Sequence, residues 1–169
     1  MLKDYLQLCW FSGEPHDLPT DRKFLWINVG IYLMFGLFIQ ANISDPLEAF
    51  LQVFLEILIT LAFLAAIVLK QDEGFYNFER FLTAILVCEN FIYLLGLPLA
   101  FWFIFAKGSA VATYPIYIAA FLIFWSLAII AYLLKELFEF DWQVSASLSI
   151  LYFLLTYLGS LALLLTIGI

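Results

Sequence analysis

The sequence predicts an all-α fold: a polytopic membrane protein whose five-helix transmembrane bundle follows a short amphipathic helix in the membrane interface. Of the 169 residues, 66% are apolar and only 12% are charged, whereas in soluble domains about half are apolar and about a quarter are charged. The mean hydropathy is +1.04. Five stretches also reach the ~20 apolar residues that a helix needs to cross a bilayer. This composition excludes a soluble catalytic domain, and the net charge of −7 argues against binding to nucleic acid.

The chain forms one predicted transmembrane domain, residues 1–169, because its apolar stretches are separated by short connections. Short connections make neighbouring helices antiparallel and leave no room between spans for a separate soluble domain. In chain order we predict an interfacial helix over residues 1–11, a polar link over 12–23, and spans over 24–41, 46–69, 80–106, 114–135 and 143–167.

The first eleven residues have the pattern of an amphipathic helix. Apolar side chains recur at helical spacing, at Leu2, Tyr5, Leu6, Cys9 and Trp10. Such a helix lies in the membrane interface with its apolar face towards the acyl chains. We interpret it as a membrane-surface anchor, and a docking strip for a cytoplasmic partner is the alternative.

The distribution of basic residues predicts the orientation. If the spans alternate, six of the seven Lys and Arg residues lie on the side of the N-terminus, and only Lys107 lies on the other. The six are Lys3, Arg22, Lys23, Lys70, Arg80 and Lys135. Since cytoplasmic loops carry the excess of basic residues, we place the N-terminus in the cytoplasm and Ile169 on the opposite side.

Three spans each carry a stripe of polar or small residues at intervals of three or four. Residues four apart share one face of a helix, so these stripes should face each other inside the bundle. The first stripe is Asn28, Tyr32, Gly36 and Gln40, the second is Glu48, Gln52, Glu56 and Thr60, and the third is Ser145, Ser149, Tyr152, Thr156 and Ser160. The fourth span is nearly all apolar apart from Ser126 and the tyrosines at its ends. We therefore expect it to be the span most exposed to lipid.

Two carboxyl groups, Glu56 and Glu89, are predicted near the middle of the membrane. Glu56 lies ten residues into its span and Glu89 nine residues beyond Arg80, or ~15 Å and ~14 Å from opposite surfaces. A charged carboxylate at that depth costs about 2.5 kcal/mol or more, so we expect both groups to be protonated. The candidate intramembrane polar or proton site consists of Glu56, Glu89, Asn90, Gln52 and Tyr93.

Two interpretations of this site remain open. Each glutamate can donate a hydrogen bond to a neighbour such as Gln52, Asn90, Tyr93 or Gln40 and so fix how the helices pack. Alternatively, the pair forms a proton or cation relay, or a polar ligand site between helices.

The sequence shows no catalytic or metal-binding pattern, so we expect no enzyme activity and no cofactor. His16 is the only histidine, and the two cysteines are too few for a zinc or iron–sulfur site. Cys9 lies near the start of the chain and Cys88 inside an apolar run, so we expect no disulfide between them.

The layout of the chain resembles that of bacterial members of the Yip family of five-span membrane proteins. The resemblance lies in the interfacial helix, the segment Pro15-His16-Asp17-Leu18-Pro19, the five closely spaced spans and the segment Thr113-Tyr114-Pro115-Ile116-Tyr117. Eukaryotic relatives of that family interact with Rab-type GTPases in membrane trafficking. The resemblance implies a bacterial inner-membrane protein and no catalytic residues.

Together these observations predict a small integral membrane scaffold or accessory protein without chemistry of its own. Its expected partners are membrane lipid and other membrane proteins or further copies of itself, and no nucleic acid. The alternative is a proton-coupled transporter or channel that uses Glu56 and Glu89. A membrane-embedded enzyme would require a cavity the size of a lipid head group, lined by Glu56, Glu89 and Asn90 and open to one surface.

Overall fold

A computed structural model of the chain describes residues 1–42, 44–69, 74–106 and 113–167. These residues form helices and no strand. The helices are α1 (Leu2–Leu8), α2 (Arg22–Gln40), α3 (Pro46–Val68), α4 (Gly74–Phe105), α5 (Thr113–Phe138), α6 (Trp142–Phe153) and α7 (Ser160–Ile167). A 3-10 turn covers Pro15–Asp17, and a π-helical stretch, Leu154–Gly159, joins α6 to α7 into one fifth span.

Within the described residues, five helical segments are long and apolar enough to cross a membrane, which confirms the predicted all-α polytopic bundle. They are Arg22–Gln40, Pro46–Val68, Phe78–Phe105, Thr113–Phe138 and Trp142–Thr166. The helix of the third span begins six residues earlier than the predicted 80, at Gly74. The fourth continues three residues beyond 135, because Leu137 and Phe138 are buried inside the bundle.

Helix starts follow ordinary capping chemistry. Asp21 precedes α2, and its carboxylate accepts a hydrogen bond from the Lys23 amide at 2.9 Å, which satisfies one of the amides left free at a helix start. Asp45 precedes α3, and Pro46 occupies the first helical position, where a proline loses no intrahelical hydrogen bond. These polar residues therefore define where two spans begin.

Helix α4 lies at the centre of the bundle and contacts α1, α2, α3, α5 and the 3-10 turn. Helix α6 packs on α5, whereas the π-helical stretch and α7 pack on α3. On α2, a Cβ added at Gly36 would lie 3.1 Å from the Val53 side chain of α3. The missing side chain thus permits the close helix contact that small residues provide in membranes.

The N-terminal segment, which comprises α1 and the polar link that follows it, packs against the bundle. Tyr5, Leu8 and Cys9 are fully buried, while Leu2 and Trp10 remain exposed. The predicted amphipathic helix therefore exists but has one face on the protein, because α1 packs against α4. Its opposite side, which includes Leu2, is exposed.

The polar link is held in place by hydrogen bonds to its backbone. The Tyr5 hydroxyl donates to the Pro19 carbonyl at 3.0 Å, and Arg80 Nε donates to the Leu18 carbonyl at 3.1 Å. Burial raises the pKa of the Tyr5 hydroxyl, which keeps it a neutral donor. The segment Asp17-Leu18-Pro19 is thus anchored to α1 and to the start of α4.

The expectation that the fourth span faces lipid most is wrong. Only 17% of the apolar segment of α2 is buried, against 28% in α5. The reason is that the N-terminal segment covers α5. Trp125 Nε1 donates to the Cys9 carbonyl at 2.9 Å, and the Tyr132 hydroxyl donates to the Gly13 carbonyl at 2.8 Å.

Some of the residues on which the predicted orientation depends lie outside the described residues. Lys70, Lys107 and Ile169 all lie there. The described basic residues near helix ends lie at the end of the bundle that holds the N-terminal segment. There Arg22 pairs with Glu79 at 3.1 Å, and the His16 ring contacts the Glu136 carbonyl at 2.8 Å.

Candidate functional site

The three predicted polar stripes face the interior of the bundle. Their buried members are Asn28, Tyr32 and Gly36 of α2, Glu56 and Thr60 of α3, and Ser145, Ser149, Tyr152, Thr156 and Ser160 of the fifth span. Gln40, Glu48 and Gln52 are only partly buried. Helical periodicity therefore identified the inward faces, and the stripe residues are more exposed towards the end of α2 and the start of α3.

Glu56 is paired with one residue of its own helix and one of the neighbouring helix. Its side chain is 3% exposed. The Tyr32 hydroxyl of α2 donates to Oε2 at 3.3 Å, and Gln52 Nε2, one turn earlier on α3, donates to Oε1 at 3.4 Å. Gln52 was an expected partner, whereas Tyr32 was known only as a stripe residue.

Glu89 connects three spans. It is 4% exposed, and Ser126 Oγ of α5 donates to Oε1 at 2.9 Å. The Tyr157 hydroxyl, from the π-helical stretch, donates to Oε2 at 3.4 Å. Neither partner was predicted from the sequence, although Ser126 is distinctive there as an isolated polar residue in an apolar span.

Tyrosine hydroxyls lie between the two carboxyl groups. The Tyr93 hydroxyl donates to that of Tyr32 at 3.5 Å, with the ring centroids 5.3 Å apart. Tyr93 also interacts with Tyr157. Glu56, Tyr32, Tyr93, Tyr157 and Glu89 thus form one chain of polar groups, which we call the carboxyl–tyrosine network. The carboxyl groups are close enough to affect each other electrostatically.

Asn90 does not join this network. Its Nδ2 donates to the Asn28 carbonyl at 3.0 Å and to the Asn28 Oδ1 at 3.2 Å. The Asn28 side chain in turn donates to the Phe24 carbonyl at 2.9 Å. The expected pairing of Asn90 with a glutamate is therefore wrong, because its side chain reaches α2 and fastens that helix to α4.

Gln40 is likewise not a partner of either glutamate among the described contacts. Its backbone carbonyl accepts from Ser44 Oγ at 3.3 Å.

Of the five predicted site residues, the structure brings Glu56, Glu89, Gln52 and Tyr93 into one connected group. Tyr32, Tyr157 and Ser126 complete it.

A cavity of about 530 Å³ adjoins the Glu89 end of the network. We call it the α4–α5 cavity. Its polar lining is Glu89, Tyr93, Ser126 and Tyr157, and its remaining walls are apolar or aromatic side chains with one glycine. Neither Glu56 nor Asn90 lines it, so it does not match the lining expected of a membrane-embedded enzyme.

The cysteines provide a further contact that the sequence did not suggest. Cys9 and Cys88 are both free and buried, as expected for an unlinked pair, but the two Sγ atoms lie 3.4 Å apart. Separation along the chain was a poor guide, because α1 packs on α4 and brings the thiols together. Among the described residues, no group of three or more His, Cys, Asp and Glu side chains is placed to hold a metal ion.

The fold and the site together define an integral membrane protein of five helical spans with a buried carboxyl–tyrosine network. No protein-family model matches the chain, and neither the curated proteins nor the solved structures provide a match.

Proposed function

We propose that this protein is a small membrane scaffold or accessory factor without chemistry of its own. The observation that supports this function is the pairing of buried polar groups across helices. Glu56 pairs with α2, Glu89 with α5, and Asn90 with α2. Such pairs fix the rotation and depth of each helix, which suits a protein that presents a constant outer surface.

The outward face of α2 is the surface we assign to partner proteins. Of the five spans, α2 has the smallest buried share. Met34 is 58% exposed and Ile27 is 50% exposed. The inner face of α1 is already occupied by the bundle, so the N-terminal segment offers only its outer side chains to a partner.

Site-specific photo-crosslinking in the native membrane tests this function. A photoreactive phenylalanine analogue at Met34 or Ile27 should form crosslinks to a distinct membrane protein or to a second copy of the chain. The matched control is the same analogue at Phe121, which is 61% exposed on α5. Crosslinks to lipid alone from all three positions would contradict a scaffold function for α2.

We further propose that the chain belongs to a bacterial inner membrane, with its N-terminus in the cytoplasm. The support is the grouping of Arg22, Arg80 and Lys135 at the end of the bundle that holds the N-terminal segment. The resemblance to the Yip family in layout supports the same localisation.

A proton-coupled carrier is the second candidate function. The observation that favours it is the carboxyl–tyrosine network, which runs from Glu56 to Glu89 and ends at the α4–α5 cavity. Buried carboxyl groups are the parts from which proton relays in membranes are built, and here tyrosine hydroxyls lie between two of them. The contacts of 3.3–3.5 Å would have to shorten for rapid transfer.

Proton flux into proteoliposomes distinguishes the two functions. A carrier should collapse an imposed pH gradient, and Glu89→Gln should abolish that flux because an amide cannot give up a proton. If the proton flux of wild type and of Glu89→Gln both equal that of protein-free liposomes, the carrier function is rejected and the scaffold function stands.

A further inference from the structure

The described walls of the α4–α5 cavity are mostly apolar, and they include one acidic side chain, Glu89. Its volume of about 530 Å³ lies within the range of about 300–1,000 Å³ that small-molecule sites occupy. None of the described residues that line it is basic. Among the described lining residues, Glu89 is therefore the one whose side chain can become a carboxylate, because phenol groups ordinarily ionise at about pH 10.

We propose that the α4–α5 cavity binds a lipophilic organic cation, which exchanges with the proton of Glu89. The exchange balances: the neutral carboxyl loses one proton to solvent, and its carboxylate pairs with one bound cation. The site is electrically neutral before and after. This matters because an uncompensated carboxylate at this depth costs about 2.5 kcal/mol or more.

The hydrogen bonds to Glu89 suit the charged state of this exchange. Ser126 Oγ lies 2.9 Å from one carboxyl oxygen and the Tyr157 hydroxyl 3.4 Å from the other. Both groups donate, and donors stabilise a carboxylate more than a neutral carboxyl group. A bound cation would therefore pair with a carboxylate that two donors already stabilise.

The aromatic walls favour an organic cation. Tyr93, Phe103, Phe153 and Tyr157 all line the cavity, and aromatic faces attract cations whose charge is spread over apolar groups. A hard metal ion is a poor fit, because Ca²⁺ takes six to eight oxygen ligands. A neutral acyl chain would contact the apolar walls of the cavity but would form no ion pair with Glu89.

Several titratable groups sense the charge of Glu89 and must be considered in any pH dependence. They are Cys9 next to α1, Glu56 of α3, Cys88 and Tyr93 of α4, and Tyr152 and Tyr157 of the fifth span. Thiols and phenols ordinarily titrate above about pH 8. Between pH 5.5 and 7.5 the exchange should therefore follow the carboxyl groups.

The test is calorimetric binding of tetraphenylphosphonium to the purified full chain in detergent. We expect one probe per chain, one proton released, and an affinity that increases by up to about tenfold per pH unit while Glu89 is protonated. Glu89→Gln should weaken binding at least tenfold and remove the pH dependence. Glu79→Gln, a carboxyl change on the same helix outside the cavity, should leave binding unchanged.

A second variant guards against loss of folding. A Cβ added at Gly96, which lines the cavity, would meet no other heavy atom within 4 Å. Gly96→Phe should therefore fold, place a ring in the cavity and weaken probe binding.

Binding of a cation goes beyond the scaffold function. Because the experiment measures binding and not transport, its outcome does not depend on whether the protein is a proton-coupled carrier. Equal binding to wild type and Glu89→Gln, or no proton release on binding, would overturn it. So would equal affinity for the neutral analogue triphenylphosphine oxide, which would identify a general apolar site. Absence of probe binding to wild type would overturn it as well, while leaving the scaffold and carrier functions to their own tests.

Discussion

At the scale of single residues, the buried carboxyl groups are held by hydroxyl groups from other helices. Glu89 receives its shortest hydrogen bond, 2.9 Å, from Ser126, and Glu56 receives one from Tyr32. Hydrogen bonds of this kind in membranes contribute modestly, about 0.6 kcal/mol on average. Leaving a buried polar group unpaired costs more, about 1–3 kcal/mol.

We predict that Ser126→Ala destabilises the bundle by about 1 kcal/mol, because Glu89 loses its closest donor. The measurement is the thermal unfolding midpoint of the purified protein in detergent. Ser147→Ala is the matched control, since Ser147 is exposed and bonds only to a carbonyl of its own helix. Equal midpoints for the two variants would contradict a structural contribution from the Ser126–Glu89 hydrogen bond.

The cysteine pair gives a second prediction at this scale. A disulfide needs an S–S distance of about 2.05 Å, so the thiols, now 3.4 Å apart, require only a small movement. The contact with Cys88 lowers the pKa of Cys9, which increases the share of the reactive thiolate. Hydrogen peroxide should therefore join the two sulfurs, each thiol losing one hydrogen while the peroxide becomes two water molecules.

Mass spectrometry after unfolding in N-ethylmaleimide measures this reaction. The oxidised chain should take up no maleimide, and the rate should increase with pH as Cys9 ionises. Cys9→Ser should retain one thiol that reacts with maleimide. Uptake of two maleimides by the peroxide-treated wild type would show that the thiols do not meet.

At the scale of elements, the predicted interfacial helix α1 is also part of the bundle. Leu8 is fully buried and Leu2 is 52% exposed on the same short helix. The link that follows is tied down by Tyr5 and Arg80. The helix and its link therefore form one structural unit with the first turns of α4.

We predict that Leu8→Ala loosens this unit, since truncating a buried leucine typically costs about 2–5 kcal/mol. Limited proteolysis should cut the polar link, residues 12–23, faster in this variant than in wild type. Leu2→Ala is the control on the exposed face and should behave as wild type. Identical cleavage rates for both variants would indicate that α1 does not rest on the bundle.

The fifth span changes neighbours at its π-helical stretch. Helix α6 packs on α5, whereas Leu154–Gly159 and α7 pack on α3. Such stretches insert an extra residue into a turn and are often found at functional sites. Here the stretch contains Tyr157, which donates to Glu89, so the irregular turn lies at the candidate site.

At the scale of the whole molecule, the orientation that we propose rests on charge and span number. Two contacts join three elements at one end of the bundle. Arg22 pairs with Glu79 near the start of α4, and His16 of the polar link contacts the Glu136 carbonyl near the end of α5. Basic residues favour the cytoplasmic side. An odd number of spans would then place the two termini on opposite sides of the membrane, as we propose.

Reporter fusions test this topology in bacterial cells. Alkaline phosphatase, which is active only outside the cytoplasm, should be active when fused after Ile169 and inactive when fused after Phe138. A green fluorescent protein at the N-terminus should fluoresce. An inactive fusion at Ile169 with an active one at Phe138 would reverse the orientation we propose.

The sequence by itself determined the helical class, the five spans and the inward faces of three of them. These properties are local: hydropathy over about 20 residues selects a spanning helix, and a spacing of three or four residues defines a helix face. Glu56 and Glu89 could be placed in the bundle interior on the same grounds, because burying them between helices is the cheaper alternative to lipid.

Only the tertiary structure decided which groups meet. Ser126 and Tyr157 reach Glu89, Asn90 turns to Asn28, and Cys9 meets Cys88 across 79 positions of the chain. Each of these contacts depends on the rotation and axial offset of one helix against another. Those quantities arise from the packing of all the side chains together, so no single stretch of sequence encodes them.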